Sequence, residues 1–199
     1  MQPRSIKALG LTGGIGMGKS AASDLIAKRG IPVIDTDLLA RQLVEPGQSA
    51  LAEITSEFGT GILDHQGRLR RGELARLVFA DPSARQKLES ILHPKIRQLW
   101  RSQVNDWNQQ GKALAIVVIP LLFETNAEKE LDATICIACS AATQRQRLLT
   151  RGWSAEQIEQ RLAAQLPIEQ KISRSNFVLW NEASLEVLSA QLDLVLGRV

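Results

Sequence analysis

The sequence is short of several residue types that mark specialised classes of protein. It contains two cysteines, no tyrosine and only 4% aromatic residues. Two cysteines cannot form the disulfide framework of a small secreted domain, and so few aromatic side chains offer no series of stacking platforms for nucleic acid. The longest run without a polar residue, 113–123, is about half of the ~20 residues that a membrane-spanning helix needs. We therefore expect no disulfide scaffold, no nucleic-acid partner and no membrane partner.

The charge of the chain is close to balanced. Its 24 basic and 21 acidic residues leave a formal net charge of +3, which is far from that of a polycation. This charge alone permits either an acidic small molecule or a nucleic acid as ligand. The length of 199 residues matches one domain of ordinary size. The first seven residues contain no apolar run of the kind that signal peptides carry. We expect a cytoplasmic protein, and the sequence does not predict an oligomeric state.

Short apolar runs alternate with amphipathic stretches along the chain. The runs lie at residues 8–11, 31–34, 114–119 and 133–138, and they are nearly continuous, as in parallel strands that are covered on both faces. This alternation predicts an α/β fold, in which a parallel sheet is flanked by helices. The stretch from 38 to 111 has helical periodicity, which predicts a helical insert between the second and third strands.

Local signals mark several helix ends. The first helix is expected to begin near Gly18 and to end before Gly30, which suits a left-handed cap. The letters HP at 93–94 predict the start of another helix, with proline in its first turn. A further helical stretch covers 143–171, and the letters SAEQ at 154–157 fit a capping box, which predicts that a new helix begins there.

The strongest motif follows the first apolar run. Residues 13–20 read GGIGMGKS and match the pattern G-x-x-x-x-G-K-S. Glycines let the backbone curl so that several N–H groups surround a phosphate, and the helix that starts here adds the positive end of its dipole. Lys19 is expected to reach the β- and γ-phosphates, and the Ser20 hydroxyl to coordinate Mg²⁺. The motif predicts a P-loop NTPase-type sheet that binds a nucleoside triphosphate with magnesium.

Two carboxylates follow the second apolar run. Asp35 and Asp37 lie close together in sequence, at the end of a predicted strand, where α/β sheets bind their ligands. One of them can orient an attacking hydroxyl and accept its proton, or hold magnesium through water. The alternative for either residue is that it caps the helix that follows. We favour the catalytic interpretation for Asp37 and leave both open for Asp35.

The third apolar run ends without an acidic residue. Pro120 stands where many motor-type P-loop ATPases carry the aspartate that binds magnesium. This departure favours a metabolite kinase, in which the acidic pair sits on the neighbouring strand. Glu124 follows shortly afterwards, and it either faces the ligand crevice or begins a helix in solvent.

Arginines recur in the second helical stretch. Arg147 and Arg151 are four residues apart, and Arg161 and Gln165 repeat this spacing, so we expect each pair to share one helix face. A helical flap with arginines can neutralise the charge of a transferring phosphoryl group and exclude water. The alternative is a charged helix surface in solvent. A second basic cluster, RLRR at 68–71, can bind the acidic part of a substrate or form a solvated loop.

The order of these motifs resembles that of the dephospho-CoA kinases. The resemblance spans essentially the whole chain, and it rests on the segments 11–20 (LTGGIGMGKS), 33–41 (VIDTDLLAR), 92–94 (LHP), 120–124 (PLLFE) and 161–165 (RLAAQ), followed by Asn181. Many enzymes share the P-loop alone. The combination with D-x-D-x-x-A-R and H-P is far more specific.

The resemblance implies a reaction and a division of the chain. Dephospho-CoA kinases transfer the γ-phosphoryl group of ATP to the ribose 3′-hydroxyl of dephospho-CoA in the last step of coenzyme A synthesis, with ATP and Mg²⁺ bound at the P-loop. The implied nucleotide-binding core covers 1–37, 112–140 and 172–199. The implied helical substrate-binding domain covers 38–111, and the implied helical lid covers 141–171.

The resemblance also implies roles for single residues. The expected catalytic residues are Asp37, Lys19 and Arg147. The expected ATP-binding residues are Gly14, Gly16, Met17, Gly18, Lys19, Ser20, Ala21, Arg151 and Asn181. The expected substrate-binding residues are Asp37, Arg41, Arg71, His93, Glu124 and Arg161. Ser20 is expected to bind Mg²⁺ directly and Asp35 through water.

Four residues, at three places in the sequence, depart from the common pattern of this family. Met17 stands where Ser is usual, and Ala21 stands where Thr is usual. Ser175 and Asn176 replace a frequent Ala-Asp pair, which leaves the contacts on the adenine side open. Two other functions also remain open: a P-loop kinase that acts on a nucleotide or a sugar, and a nucleotide-dependent switch or nucleic-acid binder, for which the sequence has no clear signature.

Overall fold

The computed structural model describes residues 6–199, so part of the stretch in which no signal-peptide run is expected lies outside the described residues. The chain forms two compact units. One contains the residues up to Asp35 together with Val104–Val199, and the other is Thr36–Gln103. The helical unit therefore begins two residues earlier and ends eight residues earlier than the insert expected at 38–111.

A parallel sheet forms the centre of the first unit. Its strands are β1 (Lys7–Gly13), β2 (Val33–Asp35), β3 (Leu114–Val118), β4 (Ala133–Ala138) and β5 (Phe177–Trp180). They lie in the order β2-β3-β1-β4-β5, and every neighbouring pair is parallel. The predicted α/β class and the first four strands are confirmed. The sequence reading missed β5, which is short and has two exposed apolar side chains, Val178 and Trp180.

The free edge of β5 is occupied by a side chain. The Trp180 N–H donates to Gln191 Oε1 at 2.8 Å, and Gln191 Nε2 donates to the Trp180 carbonyl at 3.0 Å. Gln191 lies on α9 (Leu185–Leu196). Its amide therefore satisfies both backbone groups of one edge residue.

Helices cover the sheet on the side of the apolar core. α1 (Lys19–Ala27) follows β1 and turns Ala22 and Ile26 inward, and α9 packs beside it. Each large apolar side chain buried in this layer contributes roughly 1.5–3 kcal/mol. Strand residues of this core include Leu9, Leu11, Ile116, Ile135, Ile137 and Leu179, and helix residues include Leu188 and Leu192. Gly30 adopts a left-handed φ of 74° just after α1, which confirms the predicted cap.

The second unit is built from helices. α2 (Thr36–Leu43), α3 (Ser49–Phe58), α4 (Arg71–Ala80) and α5 (Pro82–Gln109) are its main elements, and a 3₁₀ turn covers Thr60–Ile62. The residues of α5 from Val104 onward belong to the first unit. The helical unit has its own core, formed by Val44, Leu51, Ile54, Ile62 and Leu74.

One predicted helix start is wrong. His93 and Pro94 lie in the middle of α5 and do not begin it. The helix begins at Pro82, where a proline at the first position loses no hydrogen bond. Pro94 is exposed. The helix continues past it because the residues on both sides have an amphipathic helical pattern, although a proline inside a helix lowers its stability by ~3 kcal/mol.

The last part of the chain contains α6 (Ala141–Thr150), α7 (Ala155–Ala163), α8 (Ile168–Arg174) and then α9; a 3₁₀ turn, Ala127–Glu130, comes before β4. The predicted capping box is confirmed, because Ser154 Oγ accepts from the Gln157 N–H at 3.2 Å and Gln157 Oε1 accepts from the Ser154 N–H at 3.0 Å. Two expectations of shared helix faces are wrong. Arg151 lies just past α6 and Gln165 lies past α7. No helix among residues 6–199 has the length and hydrophobicity to cross a bilayer.

Candidate active site

The loop between β1 and α1 is folded tightly around its glycines. Gly13, Gly16 and Gly18 have φ values of 146°, 76° and 106°, a region that L-residues rarely adopt. Space is also restricted: a β-carbon on Gly13 would lie 2.2 Å from the carbonyl oxygen of Ile137, and one on Gly18 would lie 2.0 Å from Nδ2 of Asn181. The positive φ angles and the close neighbours together require glycine at positions 13 and 18 of the motif.

Lys19 folds back over this loop from the start of α1. Its Nζ donates to the carbonyls of Gly13 and Gly14, at 2.8 and 3.1 Å. The ammonium group is thus held at the loop, beside the positive end of the α1 dipole. Ser20 is the next residue of α1 and is exposed, while the Ala21 side chain packs against the apolar core.

Side chains from three later segments fix the middle of the loop. Gln144 Nε2 donates to the carbonyl of Ile15 at 2.7 Å, and Gln165 Oε1 accepts from the Ile15 N–H at 3.3 Å. Asn181 Nδ2 donates to the carbonyl of Met17 at 2.9 Å. The loop is therefore preorganised by neighbours on α6, after α7 and after β5.

Met17 points away from the ligand side of the loop. Only 1% of it is exposed, and it packs with Ala138 and Cys139 against Ile168 and Ile172 of α8. This departure from the common family pattern therefore adds an apolar anchor beneath the loop, and its backbone N–H remains in the loop.

Arg147 lies on α6 and is tied to the segment after β5. Its Nη2 donates to the carbonyl of Asn181 at 2.9 Å, and the Asn181 N–H donates to the carbonyl of Ala138 at 2.7 Å. The other terminal nitrogen, Nη1, is buried and has no hydrogen-bond partner within residues 6–199. A buried cationic donor of this kind fits an oxygen of a bound anion.

Asp35 ends β2 at the same edge of the sheet as the loop. It is in register with Val118 of β3, and Val118 is in register with Leu11 of β1. Two strand spacings of ~4.8 Å therefore separate Asp35 from β1 across the sheet. Of the acidic pair predicted on the strand beside the Pro120 strand end, Asp35 lies on that strand, whereas the prediction is wrong for Asp37, which lies in the first turn of α2 because the strand ends at Asp35.

Four of the predicted acceptor residues belong to the helical unit. Asp37 is exposed in the first turn of α2, and Arg41 is exposed in its last turn. Because α2 begins at Thr36, Asp35 occupies the position before the helix, where a cap lies, whereas Asp37 lies inside the helix and the capping interpretation is wrong for it. Arg71 begins α4 and forms an ion pair with Glu45, with 3.2 Å between Nη2 and Oε1. His93 is half-buried in α5, and burial lowers its pKa.

Glu124 forms an ion pair with Lys171, a residue that the sequence analysis did not include in the site. Its Oε1 lies 2.8 Å from Nζ of Lys171 and accepts from the Leu166 N–H at 2.9 Å. The Glu124 Oε2 is buried and has no hydrogen-bond partner in the described part of the chain. The sequence does contain a signal for the burial of Lys171. This lysine follows Ile168 by three residues and precedes Ile172, so it lies on the apolar face of a short helix.

Two predicted arginines lie at the ends of α6 and α7. Arg151 is exposed. The Arg161 guanidinium lies over the ring of Trp153, with its central carbon 4.7 Å from the ring centroid.

The departure at Asn176 has a structural explanation. Asn176 Oδ1 accepts from the Thr134 N–H at 2.9 Å and lies 3.0 Å from the Thr134 hydroxyl. Thr134 lies near the amino-terminal end of β4, whereas the phosphate loop follows the carboxyl-terminal end of β1. Asn176 therefore joins β4 to β5 at the amino-terminal ends of the strands, at the end of the sheet opposite the phosphate loop.

Comparison with known proteins identifies relatives over nearly the whole length. The family model described as Dephospho-CoA kinase (CoaE) matches residues 7–186. The dephospho-CoA kinase of Anaeromyxobacter dehalogenans is 43% identical over 193 residues, which cover 96% of this chain and 92% of that protein. The dephospho-CoA kinase of Bdellovibrio bacteriovorus is 41% identical over 191 residues, which cover 96% and 95%.

Solved structures give the same result. The dephospho-CoA kinase from Campylobacter jejuni superposes with a TM-score of 0.71 at 28% identity and covers 96% of both chains. TT1252 from Thermus thermophilus reaches 0.83 at 36% identity, over 98% of this chain and 99% of that one. Shikimate kinase from Bacteroides thetaiotaomicron shares the fold alone, with a TM-score of 0.51 at 15% identity over 96% of this chain and 98% of that one. With its phosphate loop, parallel sheet and full-length relatives, this chain belongs to the dephospho-CoA kinase family.

Proposed function

We propose that this protein transfers the γ-phosphoryl group of ATP to the ribose 3′-hydroxyl of dephospho-CoA, which yields coenzyme A and ADP. The observation that carries the phosphoryl donor is the phosphate loop, in which Lys19 Nζ donates to the carbonyls of Gly13 and Gly14. The match of residues 7–186 to the dephospho-CoA kinase family supports the acceptor. The proposed partner is a small molecule in a cytoplasmic setting, with no nucleic acid or membrane involved.

The loop residues bind the triphosphate in this proposal. Backbone N–H groups of Gly14 and of residues 16–21 surround the phosphates, and Lys19 neutralises the β- and γ-oxygens. The buried Nη1 of Arg147 supports a role for this arginine at the same anion, since it is a cationic donor without a protein partner among the described residues. Asn181 and Arg151 complete the proposed nucleotide site.

Magnesium is the proposed metal cofactor. The Ser20 hydroxyl at the start of α1 would hold it directly, and the Asp35 carboxylate at the end of β2 would hold it through water. Oxygen donors of this kind suit Mg²⁺, which keeps several waters and binds through substrate phosphates. When bound, it supplies charge neutralisation on the phosphate oxygens.

The helical unit is the proposed substrate-binding domain. Arg41, Arg71 and His93 are its proposed contacts with dephospho-CoA; Glu124 and Arg161 add further contacts from the first unit. Cationic side chains suit a substrate whose pyrophosphate is anionic. The segment 141–171 is the proposed lid.

Asp37 is the proposed partner of the acceptor hydroxyl. Its carboxylate orients the 3′-hydroxyl and takes its proton, while the hydroxyl oxygen forms a bond to the γ-phosphorus. The bond from the γ-phosphorus to the bridging oxygen breaks, and ADP leaves with the electron pair. Catalysis then comes mainly from positioning and from charge stabilisation.

The first experiment supplies ATP, Mg²⁺ and dephospho-CoA and measures ADP together with coenzyme A. Nucleoside monophosphates and sugars form the comparison panel. Preferential phosphorylation of one of these would assign the protein to another kinase class.

The second experiment replaces the proposed base. In Asp37→Asn, kcat should fall by about 10²–10⁴-fold, the usual contribution of a positioned base, while the Kd for ATP should be nearly unchanged. Asp24→Asn, an exposed acid on α1, is the control for loss of a surface charge. Wild-type turnover in Asp37→Asn would remove Asp37 from the mechanism.

A further inference from the structure

Lys171 is a fully buried cation outside the phosphate-loop motif. Its exposed fraction is 0%, and lysine is almost never buried to this extent unless it is paired. Its Nζ lies 2.8 Å from Oε1 of Glu124 and donates to the carbonyl of Pro120 at 2.7 Å. The side chain thus joins α8 to the segment that follows β3.

The Pro120 carbonyl also receives a hydrogen bond from the base of the phosphate loop. Thr12 Oγ1 donates to it at 3.2 Å, and Thr12 is completely buried. Thr12 immediately precedes Gly13, the first residue of the loop motif. One residue earlier, the carbonyl of Leu11 accepts from the Ile119 N–H at 2.9 Å. The end of β1 is therefore attached to the segment that Lys171 holds.

The same face of α8 contacts the loop directly. Ile168 and Ile172 pack against the apolar cluster of Met17, Ala138 and Cys139. Lys171 follows Ile168 by three residues and precedes Ile172 by one. α8 therefore supports the loop in two places, through apolar contacts at Met17 and through the polar link at Thr12.

We propose that Lys171 is a positioning residue for ATP binding, which acts through the Pro120 carbonyl and Thr12 to hold the phosphate loop in its binding geometry. The inference rests on the proposed function only in taking ATP as the ligand of the loop. Lys171 does not touch the reacting atoms in this proposal. Its effect is on the place where the loop begins, and a loop displaced by about an ångström loses much of its preorganisation.

Removing Lys171 alone is a poor test, because a buried carboxylate without its partner is strongly destabilising. The informative variant is Lys171→Met combined with Glu124→Gln, compared with Glu124→Gln alone, which retains the bond from Lys171 to Pro120. Because Glu124→Gln in turn leaves the buried Lys171 ammonium without its carboxylate, wild type is measured as a second reference, and the double variant is compared with wild type if Glu124→Gln is not folded. The readout is the Kd for ATP in the presence of Mg²⁺ and without any acceptor, measured by calorimetry on protein shown to be folded by circular dichroism.

The double variant should bind ATP between about tenfold and a hundredfold more weakly than Glu124→Gln, as expected for misplacement of a binding group. Arg174→Met is the matched control. Arg174 lies on the same helix, but its guanidinium pairs with Glu128 at 2.6 Å and lies over the Phe123 ring instead of bonding to Pro120. The Kd of Arg174→Met for ATP should therefore stay within about twofold of wild type. A folded double variant with the affinity of Glu124→Gln would overturn the proposal.

A second variant covers the case in which the double variant does not fold. Thr12→Val removes only the hydroxyl that bonds to Pro120, and it should weaken ATP binding several-fold, whereas Thr12→Ser should restore it. Unchanged affinity in Thr12→Val would also overturn the proposal. Because no acceptor is present, a wild-type protein that binds ATP but fails to phosphorylate dephospho-CoA would refute the proposed function and leave this inference intact.

Discussion

Gly13 and Gly30 form a natural pair for testing how tightly the phosphate loop is built. Both have a positive φ, 146° and 74°. A β-carbon on Gly13 would lie 2.2 Å from the Ile137 carbonyl oxygen, whereas one on Gly30 would meet no heavy atom of the described residues within 4 Å. Substitution by alanine therefore adds backbone strain at both positions but adds a collision at only one.

The magnitudes differ accordingly. Gly30→Ala should lower the free energy of unfolding by about 1 kcal/mol, since left-handed strain of ~1–2 kcal/mol is partly offset by the lower entropy of the unfolded chain. Gly13→Ala carries ~1–3 kcal/mol of strain and a further ~1–3 kcal/mol because β1 and β4 must separate to relieve the contact. We expect a total loss of about 2–6 kcal/mol.

Urea unfolding measures both losses, and steady-state kinetics measures their functional effect. A shift of about an ångström at the start of the loop should lower kcat/KM for ATP by roughly 10²-fold in Gly13→Ala, while Gly30→Ala should retain wild-type kinetics. Equal losses of stability in the two variants would show that the approach of Gly13 to Ile137 has slack, and the argument from close packing would be wrong.

Two further predictions concern titratable groups. Hydrogen bonds from Ser140 and Thr143 hold the pKa of Glu182 below its usual 4.5, so the stabilising effect of the carboxylate is present above pH 4.5 and is lost as the pH falls through the lowered pKa. The urea midpoints of Glu182→Gln and wild type should therefore differ near neutral pH and converge in acid. A difference that stays constant with pH would contradict this. Burial raises the pKa of Cys136 to about 11 and also raises the pKa of Cys139. A thiol reagent at about pH 8 should therefore modify neither residue in the folded protein and both after unfolding. Rapid labelling of the native protein would contradict this, because it would show that the thiols are accessible.

Much of the nucleotide-binding part could be predicted because its signals are local. The glycines of the phosphate loop, the cap at Gly30 and the capping box at Ser154 each depend on backbone geometry within a few residues. The apolar runs of β1 and β3 are equally direct, because strands covered on both faces need apolar side chains throughout.

Other features depend on contacts between distant segments. The strand β5 has only four residues, and its edge position leaves Val178 and Trp180 exposed. Pro94 signals a helix end locally, but the surrounding pattern overrides it. Lys171 meets partners 47 and 51 residues earlier in the chain, and no local pattern predicts which carbonyl a buried lysine will reach.

The Gln191 amide at the margin of β5 has a consequence for how molecules of this protein meet. A bare strand margin offers donors and acceptors to any extended peptide, and this is a common route to aggregation. Here the Gln191 carboxamide makes the two hydrogen bonds at Trp180 that a neighbouring strand would make. A second chain would have to displace this side chain before it could pair with β5. The protein thus keeps an apolar margin beside its nucleotide site with less risk of self-association through β-pairing.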